Sequence, residues 1–309
     1  MPRGFVLKAR NKLLRMAREW QWYLLLAPAV IYFLIFSYGP MYGVQIAFKE
    51  FRASRGIWGS AWVGFAQFER FFNSYYFWDL IRNTLLISVY GLVVGFPLPI
   101  ILALCINELR TGKFKKILQT VTYAPHFIST VVFCGMIIAF LRPSTGVINN
   151  IIMNLGGEKQ AFLSEPAAFP SIYVWSDVWQ NVGWGSIIYL ATLSGIDVAL
   201  YEAATIDGAT RFQRMRYINV PLLVPIIVTL LILNSGRVLS VGYEKVLLLQ
   251  NNLNLKTSEV ISTFVYKSGL LQAQYSFSAA VGLFNSVINL IILFCVNKIS
   301  QIVSENSLW

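Results

Sequence analysis

The chain has 309 residues, 56% of them hydrophobic and 13% charged, with a net charge of +11. Soluble domains carry about 25% charged residues, so this composition excludes an ordinary soluble enzyme and points to a lipid environment. Six runs approach the ~20 apolar residues needed to cross a bilayer, which makes the expected fold an all-α membrane protein with six transmembrane helices.

In chain order the expected spans lie near residues 22–48, 81–106, 123–141, 172–195, 222–241 and 279–296. Residues 1–21 read as a basic N-terminal segment, 22–296 as the membrane domain and 297–309 as a short C-terminal tail. The first apolar run is too long for a cleavable signal peptide and extends straight into a span. Pro97 and Pro99 fall inside the second run and predict a kinked or broken helix; Pro28 and Pro40 do the same nearer the ends of the first. The connection 48–80 holds Trp58, Trp62, Phe65, Phe68, Phe71 and Phe72, too aromatic for a disordered linker, and is expected to pack on the membrane surface or the first span. Connection 142–171 contains an amphipathic stretch, 147–154, ending at Gly156-Gly157, and 243–277 forms a third outer segment.

Basic residues orient the chain. Arg3, Lys8, Arg10, Lys12, Arg15, Arg18, Arg110, Lys113, Lys115, Lys116, Arg211, Arg214, Arg216 and Lys298 all fall on one side of a six-span topology. The positive-inside rule therefore makes both termini cytoplasmic, together with loops 107–122 and 196–221. The same clustering at span ends accounts for the positive charge through topology and anionic headgroups, and excludes nucleic acid as the partner. Cys105, Cys134 and Cys295 lie in different spans without paired spacing and read as apolar packing residues. The single His126 cannot build a metal site and reads as structural. No metal site and no catalytic constellation is expected. The sequence lacks a phosphate-binding G-x-x-x-x-G-K-[ST] loop, so energy for uphill transport must come from another subunit.

Loop 196–221 carries the densest local signals. Asp197 is placed to cap a helix over 198–206 that ends at Asp207-Gly208, because glycine tolerates the left-handed conformation of a helix C-terminus. Thr210 and Gln213 read as a capping box opening a second short helix, 211–217, and Pro221 then starts the next span. The expected device is a rigid helix–turn–helix outside the membrane.

Glu202-Ala203-Ala204, Asp207-Gly208-Ala209, Ile218 and Pro221-Leu222 at this spacing resemble the coupling-loop motif of permease subunits in ATP-binding-cassette (ABC) importers. Leu26-Ala27-Pro28, Tyr38-Gly39-Pro40, Arg82-Asn83-Thr84-Leu85, Phe96-Pro97-Leu98-Pro99, Gly183-Trp184-Gly185-Ser186 and Leu308-Trp309 extend the likeness over nearly the whole chain. They are similar to the oligosaccharide and polysaccharide branch of the maltose-permease-like type I importers. The resemblance implies that Glu202, Ala203, Ala204, Asp207, Gly208, Ala209 and Arg211 form an ATPase-coupling helix between the fourth and fifth spans. It also implies a second, homologous permease, two copies of an ATPase that bind ATP and Mg, an extracytoplasmic sugar-binding protein docking on the outer segments, and no cofactor on this chain. The implied location is the bacterial cytoplasmic membrane. Arg237-Val238 departs from the expected pattern and leaves the pore lining around it open.

Sugars require hydrogen-bond partners and flat aromatic faces pointing away from lipid. Candidate path residues are Trp179, Asn181 and Trp184 in the fourth span, Asn234 and Arg237 in the fifth, and Asn285 and Asn289 in the sixth. Arg237 has two readings, facing the pore or snorkelling to an interface. Ser278, Gly282 and Ser286, like Gly91 and Gly95, read as helix-packing stripes. The alternatives to an ABC permease are an ion-coupled secondary transporter, opposed by the lack of internal repeats, and a membrane-embedded enzyme.

Overall fold

The computed structural model describes residues 18–110 and 112–304. The basic residues Arg3 to Arg15 and the terminal Leu308-Trp309 lie outside the described residues. The described residues are mostly helical. Four described helices are long and apolar enough to cross a membrane, and the number is six if each of two bent pairs is one crossing.

Helix α1 (Trp20–Phe48) continues through Pro28 without a break. A widened π-helical turn, Leu34–Tyr38, precedes Pro40 and shifts the hydrogen-bond register that the proline interrupts. None of the residues from Trp20 to Met41 is buried; the last two turns alone, Tyr42–Phe48, pack on the final helix. A short hairpin, β1 (Lys49–Glu50) against β2 (Ala61–Trp62), leads to α2 (Ala66–Phe72). This aromatic connection is ordered as expected. Phe48 meets Phe65 and Phe68, Trp58 lies on Tyr42, and Phe71 is fully buried among Phe77, Phe277 and Phe284.

Helix α3 (Phe77–Asn107) carries Pro97 and Pro99 and bends at Phe96, yet stays one helix. The expected third span, 123–141, is not one helix. Residues up to Phe127 belong to α4 (Lys113–Phe127), an amphipathic helix, and α5 (Thr130–Leu141) leaves it at 101°. The corner at Ile128 and Ser129 forms because both adopt extended backbone, with the Ser129 hydroxyl capping α5 by accepting from Val132 N. Helix α6 (Val147–Asn154) matches the amphipathic stretch read from the sequence. Helix α7 (Phe169–Ser194) follows, then α8 (Val198–Ile206), bent 74° from it.

The fifth span also differs from expectation. The second short helix does not end at Tyr217: it fuses with the next apolar run into α9 (Arg211–Ser235), through a π-helical turn at Met215–Asn219. That turn lets the helix pass Pro221, whose ring would otherwise clash with the preceding turn. Helix α9 stops at Ser235, so Arg237 lies beyond it rather than inside it. The segment 243–277 is not simply an outer surface. Helices α10 (Tyr243–Leu249) and α11 (Ile261–Tyr266) drive Val246, Leu249, Val260 and Ile261 into the interior. Buried Asn83 donates to the carbonyls of Lys256 and Glu259, while Thr84 Oγ1 accepts from Ile261 N, pinning the segment to α3. Helix α12 (Tyr275–Ser304) completes the fold.

Three apolar clusters form the core. One joins Ile87, Cys134, Phe169 and Val246; another joins Phe71, Leu80, Ile261, Phe277 and Val281; the third joins Ala103, Leu104, Tyr189, Leu193 and Leu223. The stripes of small residues pack in part: Gly95 meets Val178 and Ser278 lies against Gly269. Among the described residues nothing comes within 4 Å of where a side chain on Gly91 or Gly282 would lie, whereas a Cβ on Gly183 would strike the carbonyl of Thr122. Gly183→Ala should therefore lower the thermal midpoint of the detergent-solubilised protein, at a cost of about 1–3 kcal/mol typical of overpacking. Gly91→Ala, measured alongside it, should leave the midpoint unchanged.

Candidate coupling helix and translocation cavity

The polar loop folds into the rigid device its sequence encodes. Asp197 Oδ1 accepts from Ala199 N at 3.0 Å to open α8. At the other end Gly208 adopts φ +75°, Gly208 N donates to Thr205 O and Ala209 N to Ala204 O, closing a glycine-based helix stop. The capping box then opens α9: Gln213 N donates to Thr210 Oγ1 at 3.3 Å, and Thr210 N to Gln213 Oε1 at 2.7 Å. Arg214 ties the two helices together by donating to Thr205 Oγ1 at 3.0 Å.

Three helices meet beneath this turn. Tyr201 Oη on α8 donates to Oδ1 of Asn219 on α9 at 2.6 Å, and Asn219 Nδ2 donates to Glu108, just beyond α3, at 3.5 Å. Asn219 is fully buried. Burial also holds the Tyr201 phenol above its ordinary pKa of 10.0. On the opposite side α8 has no buried residue; Glu202, Ala203, Asp207 and Gly208 are exposed, and so are Val198, Ile206 and, on α9, Phe212. Ala204 and Ala209 are half-buried at the turn, and Arg211 is exposed. A rigid helix with one anchored face and one open apolar face has the form of a docking element.

The polar candidates of the spans separate into two groups. Asn181, Asn234 and Arg237 line a cavity of about 470 Å³ between α3, α7 and the end of α9, with Gly91 and Gly95 on its α3 wall. The others do not line it. Trp179 stacks on Phe133 with centroids 5.7 Å apart, and Asn285 lies on α12 away from the cavity. Asn289 is buried as a backbone clamp, accepting from Leu239 N at 3.0 Å and donating to Ser240 Oγ at 3.1 Å. It is needed there because the chain after α9 has lost its helical bonds. Trp184 stacks on His126, centroids 4.4 Å apart and 7° from parallel.

His126 is thus more than packing. Its Nδ1 lies 2.9 Å from Asn181 Oδ1, an acceptor, so that nitrogen donates. His126 also lines a second cavity of about 460 Å³, which meets the first at Tyr173, Asp177, Asn181 and Gly242. Lys245 on α10 reaches this junction, 3.3 Å from Asp177 Oδ1. Neither Lys245 nor the role of His126 was expected from the sequence, whereas Asp177 belongs to the polar and aromatic set of the fourth span. Tyr173, Asp177 and Asn181 recur every four residues, a spacing that places them on one strip of a helix, and that signal was present.

The Tyr201→Phe substitution removes the donor to a fully buried acceptor. It should weaken α8 docking by about 1–2 kcal/mol, read as faster amide exchange of α8 with α7 unaffected. The raised phenol pKa means the protonated donor is favoured by the fold, so its contribution is complete below pH 10 and lost as pH climbs through the shifted value. Relative to the intrinsic base-catalysed rate, protection of α8 in the unsubstituted protein should fall in that alkaline window, and in the Phe variant it should not.

Comparison with known proteins places these features. The family described as binding-protein-dependent transport system inner membrane component matches residues 95–304. Protein LplB of Bacillus subtilis is 44% identical over 287 residues, covering 93% of this chain and 90% of that protein. The polygalacturonan/rhamnogalacturonan transport system permease YteP of the same organism is 40% identical over 302 residues, covering 98% and 94%. The crystal structure of a bacterial ABC transporter that imports the acidic polysaccharide alginate contains a chain with TM-score 0.87 and 41% identity, covering 95% of this chain and 99% of that one. The same likeness holds for the alginate transporter in complex with its pentasaccharide-bound periplasmic protein. These matches cover most of the chain and agree: it belongs to the family of inner membrane components of binding-protein-dependent transport systems and is an ABC-importer permease.

Proposed function

We propose that this chain is one of two homologous permeases in an importer of oligosaccharides or polysaccharides, driven by two ATPase subunits that dock beneath the pair, with α8 as this chain's contact. The observation that carries this reading is the Tyr201–Asn219–Glu108 connection, which fixes the exposed docking helix to the inner ends of α3 and α9. A push on Glu202 and Ile206 then moves both helices as a unit, and those helices form two walls of the 470 Å³ cavity. ATP and Mg are bound by the ATPases, and this chain needs no cofactor. In this reading each bent pair contributes one crossing, that of the second pair made by α7 with α8 outside the membrane, giving six spans with both termini cytoplasmic.

Sugar as cargo is supported by the relatives, whose names specify polygalacturonan, rhamnogalacturonan and alginate. The cavity suits such a cargo. Asn181, Asn234 and Arg237 offer hydrogen-bond groups on a largely apolar wall, and the open Gly91 leaves room beside it. Exposed parts of segments 48–80, 142–171 and 250–274 supply the surface for an extracytoplasmic binding protein. An ion-coupled transporter has no use for a helix built to meet an ATPase, and no catalytic grouping speaks for an enzyme.

Glu202→Lys should reverse the charge at the docking face without disturbing the helix. Gly208→Pro should break the turn, because proline is confined to φ near −65° and Gly208 sits at +75°. In reconstituted complexes both variants should retain ATP hydrolysis by the ATPases while losing most sugar uptake. Normal uptake in both would refute the coupling role.

A further inference from the structure

The two cavities meet at a carboxylate held in one orientation. Asp177 Oδ1 receives the Lys245 ammonium at 3.3 Å and the Asn181 amide at 3.3 Å. Among the described residues, Oδ2 accepts no hydrogen bond, and Asp177 lines both cavities. The two partners are unequally buried: the Lys245 side chain is 7% exposed and the Asp177 side chain 50%. Lys245 is fixed by more than the ion pair, since its Nζ donates to Tyr173 O at 3.2 Å and lies over the rings of Tyr173 and Phe133. Asn181 is held in turn by His126. Every group that orients the carboxylate is therefore anchored, and the residue that carries it lines both cavities.

We propose that Asp177 is the residue at this junction that accepts hydrogen bonds from the hydroxyls of a passing pyranose, with Lys245 as its positioning residue. This rests on the reading of the cavities as a sugar path. A carboxylate only accepts, sugar hydroxyls donate, and a charge-assisted bond of this kind is about twice as strong as a neutral one. Fixing the carboxylate beforehand avoids ordering it when the sugar arrives. The buried ammonium cancels its charge, so the acceptor serves hydroxyls without repelling the carboxylates of an acidic chain. Arg237, on the wall of the larger cavity, has the planar donor fork that suits those carboxylates. The ligand class is a hydroxyl-rich pyranoside in which uronate units are accepted.

The test separates a substrate contact from a structural ion pair. Neutral isosteric replacement of a buried pair is often tolerated by a fold, so Asp177→Asn combined with Lys245→Met removes the charged acceptor without stranding a buried charge. The importer, purified with its native partner subunits and binding protein and reconstituted in liposomes, is assayed with labelled tetragalacturonate and alginate pentasaccharide. The proposal expects the double variant to assemble, with the KM for uptake raised about tenfold or more and Vmax little changed. An unchanged KM for both saccharides would show that the pair only holds α10 against α7. Asp177→Glu, which keeps the pair and displaces the open oxygen, should alter the preference between the two saccharides. That variant decides the matter if the double variant does not assemble, and an unaltered preference overturns the proposal. Failure of the unsubstituted complex to take up either saccharide would instead overturn the sugar reading itself, and the proposal with it.

Discussion

The whole arrangement depends on how closely other helices approach α7. Gly183 and Gly185 lie on different faces of α7, and the backbone of Thr122 and the ring of Pro99 respectively occupy the space that their side chains would fill. Close approach of this kind supplies much of the attraction between helices in lipid, where burial of apolar surface gives little. Here it sets α4 and α3 against α7 at fixed positions. The corner after α4 then presents His126 to Asn181 and Trp184. The cavity walls, the His126 stack and the Asp177 junction all inherit their geometry from that contact.

A second constraint concerns backbone that is not helical. Polar main-chain groups away from water must find partners, and the chain between α9 and α12 leaves helical geometry several times. Side chains satisfy it: Asn289 clamps residues 239 and 240, Asn83 and Thr84 hold the carbonyls and amide around 256–261, and Ser262 Oγ donates to Val241 O. With those bonds in place, α10 can be driven inward and deliver Lys245 to the junction. The buried polar residues of α3 and α12 are in this sense scaffolding for an irregular segment.

The sequence made some of this legible and left some of it hidden, for physical reasons. The caps of loop 196–221 were readable to the residue because their signals are local, although the run-on of the second helix past Tyr217 was not: an Asp N-cap, a Gly at positive φ and a reciprocal Thr–Gln pair each act over three or four positions. The spans were readable as apolar runs, although apolarity alone did not reveal the 101° corner before α5 or the early end of α9. Asn289 looked like a pore residue because side-chain chemistry does not state its partner, and its partner is main chain fifty positions away. Lys245 was hidden for the same reason. It sits in a stretch that reads as surface, and only the return of α10 against α7 makes its charge meaningful.

The π-helical turn at Met215–Asn219 has a consequence for the evolution of the chain. Such a turn is in effect one residue inserted into an α-helix, and each residue added or removed rotates whatever follows by about 100°. Placed between the capping box at Thr210 and the buried Leu223, the widened turn absorbs that rotation locally. The exposed face before the turn and the face that meets the core can therefore drift in relative phase without either being rebuilt. A lineage that changes what packs on the exposed face can adjust this one turn and keep its core.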